Sequence, residues 1–450
     1  MNIPHIKNAL ENIITACQKK LSLLYPAGVP EQILTRYEKE LSLLKASEYI
    51  DDFELFRLIS EEANKSSYII TARGTIMGSF LYYLLGTNCF NPLPVYYYCP
   101  KCGHYETIQT HLFGIDLPEK NCPTCNEPIY ADGFNLSIES VWGNDGKKTI
   151  SFDYNVCNEF IIFVNRILLK IYPNNVIAPW GMFQYEFNPQ PSYLEQKIIG
   201  VKLTGYAILP TGNTMDDYSD LISYLEDGEL CLTGGSWDLE QNQIKPIRLF
   251  SLDYIDKLIA LQRTTGIYAN EISTLQLRNI SWSNIYNTTL LTQQSSIFFH
   301  ELRPKTYRDM VSLEATTHNS TIHHKDGDYC LDYRAFTQMT STDAFKKYPC
   351  YTREDFFDFL VESGVERELA FEASEMIRKG QGSEKAHSSR WYEKFQALPI
   401  PEDIKEVAKN YLYLFPRAHC VEYILIFARL AYYAQVDSRA FSKIVFKKKS

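Results

Sequence analysis

Four cysteines constrain this chain more than anything else in it. Cys99-Pro100-Lys101-Cys102 and Cys122-Pro123-Thr124-Cys125 form two CxxC pairs separated by one short segment. Such a pair of knuckles can place four thiolates tetrahedrally around one Zn²⁺, with Zn–S distances of about 2.3 Å. The proline in each pair bends the knuckle so that both sulfurs face one point. Gly103 follows the first pair, where a small residue lets backbone amides turn toward sulfur. Two disulfides are the alternative. They fit poorly, because a CxxC disulfide is strained and the chain has no features of a secreted protein. With four protein ligands the metal has no open position, so Cys99, Cys102, Cys122 and Cys125 are expected to hold a structural Zn²⁺.

A length of 450 residues leaves room for two or three domains with sizeable cores. The net charge of −9 sets up a long-range repulsion against DNA, so any contact with DNA has to come from a local basic strip. Eleven cysteines without a secretory leader suggest a reducing cytoplasm. The most apolar late run, Tyr423 to Ala434, is too short to span a bilayer and contains Arg429, so no membrane partner is expected.

The first seventy residues read as helices. Ile6, Leu10, Ile13, Ile14 and Cys17 keep helical spacing, and Pro30 stands where a second helix begins, with Ile33, Leu34, Tyr37, Leu41 and Leu44 on one face. Short strands are expected at Ser67 to Thr71, Thr149 to Tyr154, Lys202 to Leu209 and Pro246 to Leu252, and helices at Phe80 to Leu85 and Asn158 to Tyr172. Gly228 to Gln243 reads as loop, and His318 to Asp328 as a polar loop. From Thr352 the pattern turns helical, opening on a capping box of Thr352 with Asp355 and ending in helices over Glu402 to Tyr413 and Cys420 to Ala434.

Around the cysteines runs a series of motifs in fixed order. Thr71-Ala72-Arg73-Gly74-Thr75-Ile76-Met77-Gly78-Ser79 and Asn91-Pro92-Leu93-Pro94 precede the first knuckle, and Gly114-Ile115-Asp116-Leu117-Pro118 precedes the second. Glu31 to Leu41, Gly200-Val201-Lys202, Thr204-Gly205, Ile208-Leu209-Pro210, Pro304-Lys305-Thr306-Tyr307 with His318, Ile377-Arg378-Lys379-Gly380-Gln381-Gly382 and Phe415-Pro416-Arg417-Ala418-His419 extend the series to the C-terminal region. In this order the motifs resemble the C-type DNA polymerase III alpha subunit over nearly the whole chain.

That resemblance implies an α+β fold with a polymerase-like palm built on a mixed sheet, a zinc ribbon insertion and mostly helical fingers. The implied division is a helical palm entry with the Arg-Gly turn over 1–95, the ribbon over 96–135, palm and thumb over 136–300 and fingers over 301–450. A polymerase palm works through two metal ions about 4 Å apart, which hard carboxylate oxygens must hold. The family carries two Asp as D-x-D on one strand and a third on a neighbour. Aligned from the preceding glycine turn, Thr149 and Ser151 fall where the first two belong, and Arg248 where the third does. A register slip of two would put Asp153 in one of those places. The segment from Lys202 to Pro210 is also shorter than in the family, so the loop that cradles the triphosphate is reduced.

No catalytic residue is therefore assigned, and Mg²⁺ is not expected. The resemblance implies DNA or nucleotide contacts at Arg73, Lys202, Arg378, Lys379, Arg417 and His419; read from the residues alone, Arg73 is equally a phosphate ligand or a surface turn residue, Arg378, Lys379 and Arg417 read rather as solvated cations, and His419 as a packed residue. His318, His323 and His324 lack the neighbours of a metal site and read as loop. Trp142, Trp180, Trp237, Trp282 and Trp391 read as core or interface anchors. The expected function is a catalytically inactive, polymerase III alpha-like protein of the cytoplasm that binds DNA or host replication proteins as an accessory or decoy. The alternatives are an active minimal polymerase with rearranged carboxylates and a scaffold for single-stranded or primed DNA.

Overall fold

The computed structural model describes residues 2–86, 90–187, 196–283, 298–300, 302–318, 320–321, 333–383 and 389–446. His323 and His324 lie outside them. The chain forms two compact units: one of Met1–Ala16, Glu48–Arg73 and Phe152–Ala260, the other of Cys17–Ser47, Gly74–Ser151 and Leu261–Ser450. Helices and a mixed sheet make the protein α+β.

The first unit is organised by a seven-stranded sheet. Its order across the sheet is Thr71–Arg73, Asp153–Val156, Lys245–Ser251, Gln196–Ile208, Ile177–Phe187, Leu230–Leu232 and Ile222–Tyr224. Alternation along the strands sorts the two faces. Ala72, Tyr154, Ile247 and Leu249 are buried on one face. The helices Ile50–Lys65 and Asn158–Ile171 pack there; Phe56 stacks on Tyr154 with ring centroids 4.3 Å apart. The helix over 158–171 has the apolar stripe Phe160, Ile161, Val164, Ile167 and Leu168 that the sequence advertises.

Three strands depart from the sequence reading. The strand expected at 149–154 begins only at Asp153, and the one expected at 67–71 is Thr71–Arg73. Lys202 to Leu209 is the distal part of a long strand, Gln196–Ile208, whose antiparallel partner Ile177–Phe187 the sequence reading missed. The segment read as loop, 228–243, contributes the strand Leu230–Leu232 and the helix Ser236–Gln241.

In the second unit the helix Glu31–Lys45 follows Pro30 and buries Ile33, Tyr37, Glu40 and Leu44. Glu40 is a charged residue with no exposure, and its environment explains why. It takes an ion pair from Arg36 and hydrogen bonds from Ser79 Oγ and the amides of Phe80 and Leu81. It thereby satisfies the first amides of the helix Phe80–Leu84.

The cysteine ribbon pairs Tyr96–Tyr98 with Tyr105–Thr107 and Ala131–Asp132, and Lys120–Asn121 with Pro128–Ile129. Arg278, at the end of the helix Thr274–Arg278, ties down its outer loops by donating to the carbonyls of Gly114, Leu117 and Ala131.

The remainder is helical around Arg417–Val436, a helix buried on nearly every side. The helix expected over 402–413 stops at Ala408, and Tyr411–Tyr413 is a strand pairing with Ser320–Thr321. Only half of the expected capping box forms: Asp355 accepts from the Thr352 amide at 2.7 Å, while Thr352 Oγ1 has no partner.

Candidate functional site

The sheet of the first unit carries one row of paired residues. Arg73 stands opposite Asp153, Asp153 beside Arg248 in a parallel pair, Arg248 opposite Gly205, and Gly205 opposite Trp180. Directly paired residues project to the same face. The row therefore reads Arg, Asp, Arg, Gly, Trp on the face away from the helices. Gly205 is required: a Cβ there would lie 2.1 Å from the Ile247 carbonyl oxygen.

The side chains interlock through aromatic faces. The Arg73 guanidinium lies 4.4 Å from the Phe250 ring centroid, and Arg248 lies 5.5 Å from Trp180 and 5.6 Å from Phe250. Arg73 Nη1 donates a long bond of 3.4 Å to Asn155 Oδ1. Arg248 makes no hydrogen bond or ion pair among the described residues, and its Nε is buried without a partner. Burial pushes the Asp153 carboxyl up, and the nearby charges of Arg248 and Arg73 pull it part of the way back.

Thr149 and Ser151 are exposed residues ahead of the strand. Asp153, two positions beyond Ser151, is the residue paired with Arg248. Lys202 is exposed on the long hairpin, paired across it with Met182.

The four cysteines converge. Their Sγ atoms all lie within 4.8 Å of one another, with Cys99 to Cys125 at 3.4 Å and Cys102 to Cys122 at 3.5 Å. Four thiolates at 2.3 Å from a central ion would stand about 3.8 Å apart, so the set has the dimensions of a tetrahedral site. The two knuckles repeat one geometry. Cys99 N bonds to His104 O and Gly103 N to Cys99 O; Cys122 N bonds to Glu127 O and Asn126 N to Cys122 O. Gly103 and Asn126, each just after its second cysteine, both take positive φ, +77° and +62°. Against the cost of burial, the amides of Cys125 and Thr124 hold the Cys122 thiol at about 6, and those of Cys102 and Lys101 lower Cys99. Against the amides of His104 and Glu127, burial and hydrogen bonds with the neighbouring sulfurs shift Cys102 and Cys125 upward instead, and the four sulfurs so arranged could hold a metal ion.

The remaining predicted contacts have varied surroundings. Arg417 is 2% exposed. It donates to Asp355 at 2.8 Å, Asp358 at 2.7 Å and the Asn135 carbonyl at 2.7 Å. Arg308 also pairs with Asp355, and Arg353 with Glu354 and Glu375. Arg378 pairs with Glu375 at 3.1 Å, while Lys379 is exposed at the end of the helix Arg367–Arg378. His419 is buried against Phe415 and Tyr423, and its Nδ1 accepts from the Gly74 amide at 3.3 Å. Arg417 is thus buried among Asp355 and Asp358, while Arg378 is half-buried on Glu375, which also pairs with Arg353; the two groups meet where the Arg417 amide donates to Glu354, and their signal in the sequence is the run Arg353-Glu354-Asp355.

Comparison with known proteins agrees with the motifs. Residues 11–185 match the family described as the bacterial DNA polymerase III alpha NTPase domain. The chain is 24% identical to DNA polymerase III PolC-type of Thermotoga maritima, over 96% of this chain and 34% of that protein. It is 24% identical to the Bacillus subtilis protein of that name, over 96% and 32%, and 22% identical to that of Clostridium perfringens, over 96% and 32%. The chain spans about a third of the length of these curated relatives. It is related to PolC-type DNA polymerase III.

Proposed function

We propose that this chain is a catalytically silent relative of the polymerase core, which binds DNA or replication proteins as an accessory or decoy. One observation carries the reading: the row Arg73–Asp153–Arg248 puts a single carboxylate between two guanidinium groups. Two-metal nucleotidyl transfer needs several anionic oxygens converging on a pair of divalent cations. Here the groups flanking the one carboxylate are cations, which repel a divalent ion. Asn155, the next residue on that face, is neutral.

The cysteine cluster takes Zn²⁺ in this reading, since four sulfurs without an open position suit a structural zinc. DNA contact, where it occurs, runs through exposed cations such as Lys379 and Lys202. Primer extension with a primed template, all four dNTPs and Mg²⁺ or Mn²⁺ is the test. The expected result is no template-directed product. Extension that survives stringent purification and disappears in Asp153→Ala would overturn the proposal.

A further inference from the structure

We infer that Arg248 and Arg73 form a metal-independent binding site for a phosphoryl group, supplied by a free nucleotide or by a nucleic-acid backbone. The inference rests on the silent-core reading and names what that face of the sheet would bind in place of metal-bound substrate. Arg248 is the central observation. It is half-buried, stands in register beside Asp153 and yet forms no ion pair with it. Among the described residues nothing accepts from its guanidinium, and Nε is orphaned. A half-buried cation left without an acceptor is costly unless a ligand or solvent completes it.

The way Arg248 is held leaves its donors unused. The Arg248 guanidinium lies over the rings of Trp180 and Phe250, which offer no oxygen acceptor, and its planar fork of N–H groups suits a phosphoryl oxyanion. Arg73 shares the Phe250 ring, so one aromatic side chain contacts two guanidinium groups of the same row. Arg73 is tied to the sheet by a long bond to Asn155. The charges facing them are Asp153, between them in the row, and Glu240, on the helix Ser236–Gln241, which acts on Asp153. Burial already drives Asp153 toward its neutral acid, and a bound oxyanion would drive it further, leaving the row cationic.

The test uses the full chain in excess EDTA. Binding of pyrophosphate is measured by calorimetry and binding of a labelled single-stranded oligonucleotide by fluorescence anisotropy, with each probe also used as competitor of the other. We expect at least one probe to bind without divalent metal. Arg248→Met, which keeps an apolar stem against Trp180 and Phe250, should weaken that binding about tenfold or more, the loss expected for a charge-assisted contact. Asp153→Asn should tighten it several-fold by removing the opposing charge. Pyrophosphate binding alone assigns the site to free nucleotide; oligonucleotide binding that pyrophosphate displaces assigns it to the backbone. Failure of both probes, dependence on Mg²⁺, or affinities unchanged in both variants would overturn the inference. These results are read apart from primer extension, so the silent-core reading stands or falls separately.

Discussion

Replacing Arg417 with Ala should destabilise the helical unit strongly, and the hydrogen bonds around the guanidinium give the size of the effect. Its Nη2 serves Asp355 and Asp358, and Nη1 the Asn135 carbonyl. Removing one partner from a buried charge network costs about 3–5 kcal/mol. Two details place the cost at the lower end. Asp355 keeps Arg308 and the amides of Tyr351 and Thr352. Burial already raises the Asp358 carboxyl, so it can protonate once its cation is gone.

We therefore expect a loss of about 3 kcal/mol in Arg417→Ala, and about 1–2 kcal/mol in Arg417→Lys, which keeps the charge and loses the fork. Urea unfolding followed by far-UV circular dichroism measures both. The pH dependence follows from Asp355. Against burial, Arg308 and Arg417 hold its carboxyl well below the usual range, so its stabilisation is present above the unfolded-state value and lost as pH falls below it. The gap between wild type and Arg417→Ala should narrow below about pH 4. A loss under about 1 kcal/mol at neutral pH, accompanied by weakened DNA binding, would refute the structural role and return Arg417 to the surface contacts.

Other outcomes follow from the same contacts. The purified protein should hold one metal ion per cysteine cluster by elemental analysis, and Cys99→Ser or Cys122→Ser should lose it and lower the melting temperature. Burial, and next the charge of Arg353, lower Lys148 to about 7. Its folded value lies below its unfolded one, so the penalty is complete below about pH 7 and relieved as pH rises toward about 10.5. Lys148→Met should thus stabilise by about 1 kcal/mol or more at pH 6 and flatten the rise of the urea midpoint above pH 7. If DNA is bound, Lys379→Ala should reduce the salt slope by about one unit, whereas Arg378→Ala should act mainly on stability because Arg378 is paired with Glu375.

The parts of the fold that were legible in the sequence are local. Each cysteine knuckle is four consecutive residues whose turn chemistry is complete in itself, and the two loops repeat one geometry after Gly103 and Asn126. The helix over 158–171 announces itself by a single apolar stripe. What was missed depends on distant partners. Thr149-Ile150-Ser151-Phe152 alternates like a strand, yet pairing starts at Asp153, opposite Arg73, where the antiparallel partner Thr71–Arg73 ends. Arg417 reads as an exposed fingers cation until Asp355, Asp358 and Asn135 arrive from far along the chain. The burial of Glu40 likewise depends on amides forty and forty-one residues away, those of Phe80 and Leu81.

Manganese binding followed by electron paramagnetic resonance tests the central claim most directly, because it asks whether the row Arg73–Asp153–Arg248 can hold divalent ions at all. The account predicts the spectrum of a protein-free control containing the same Mn²⁺, with primed DNA and a dNTP in both where they are added, and no change with Asp153→Ala. A pair of bound, spin-coupled Mn²⁺ ions that Asp153→Ala abolishes would contradict it.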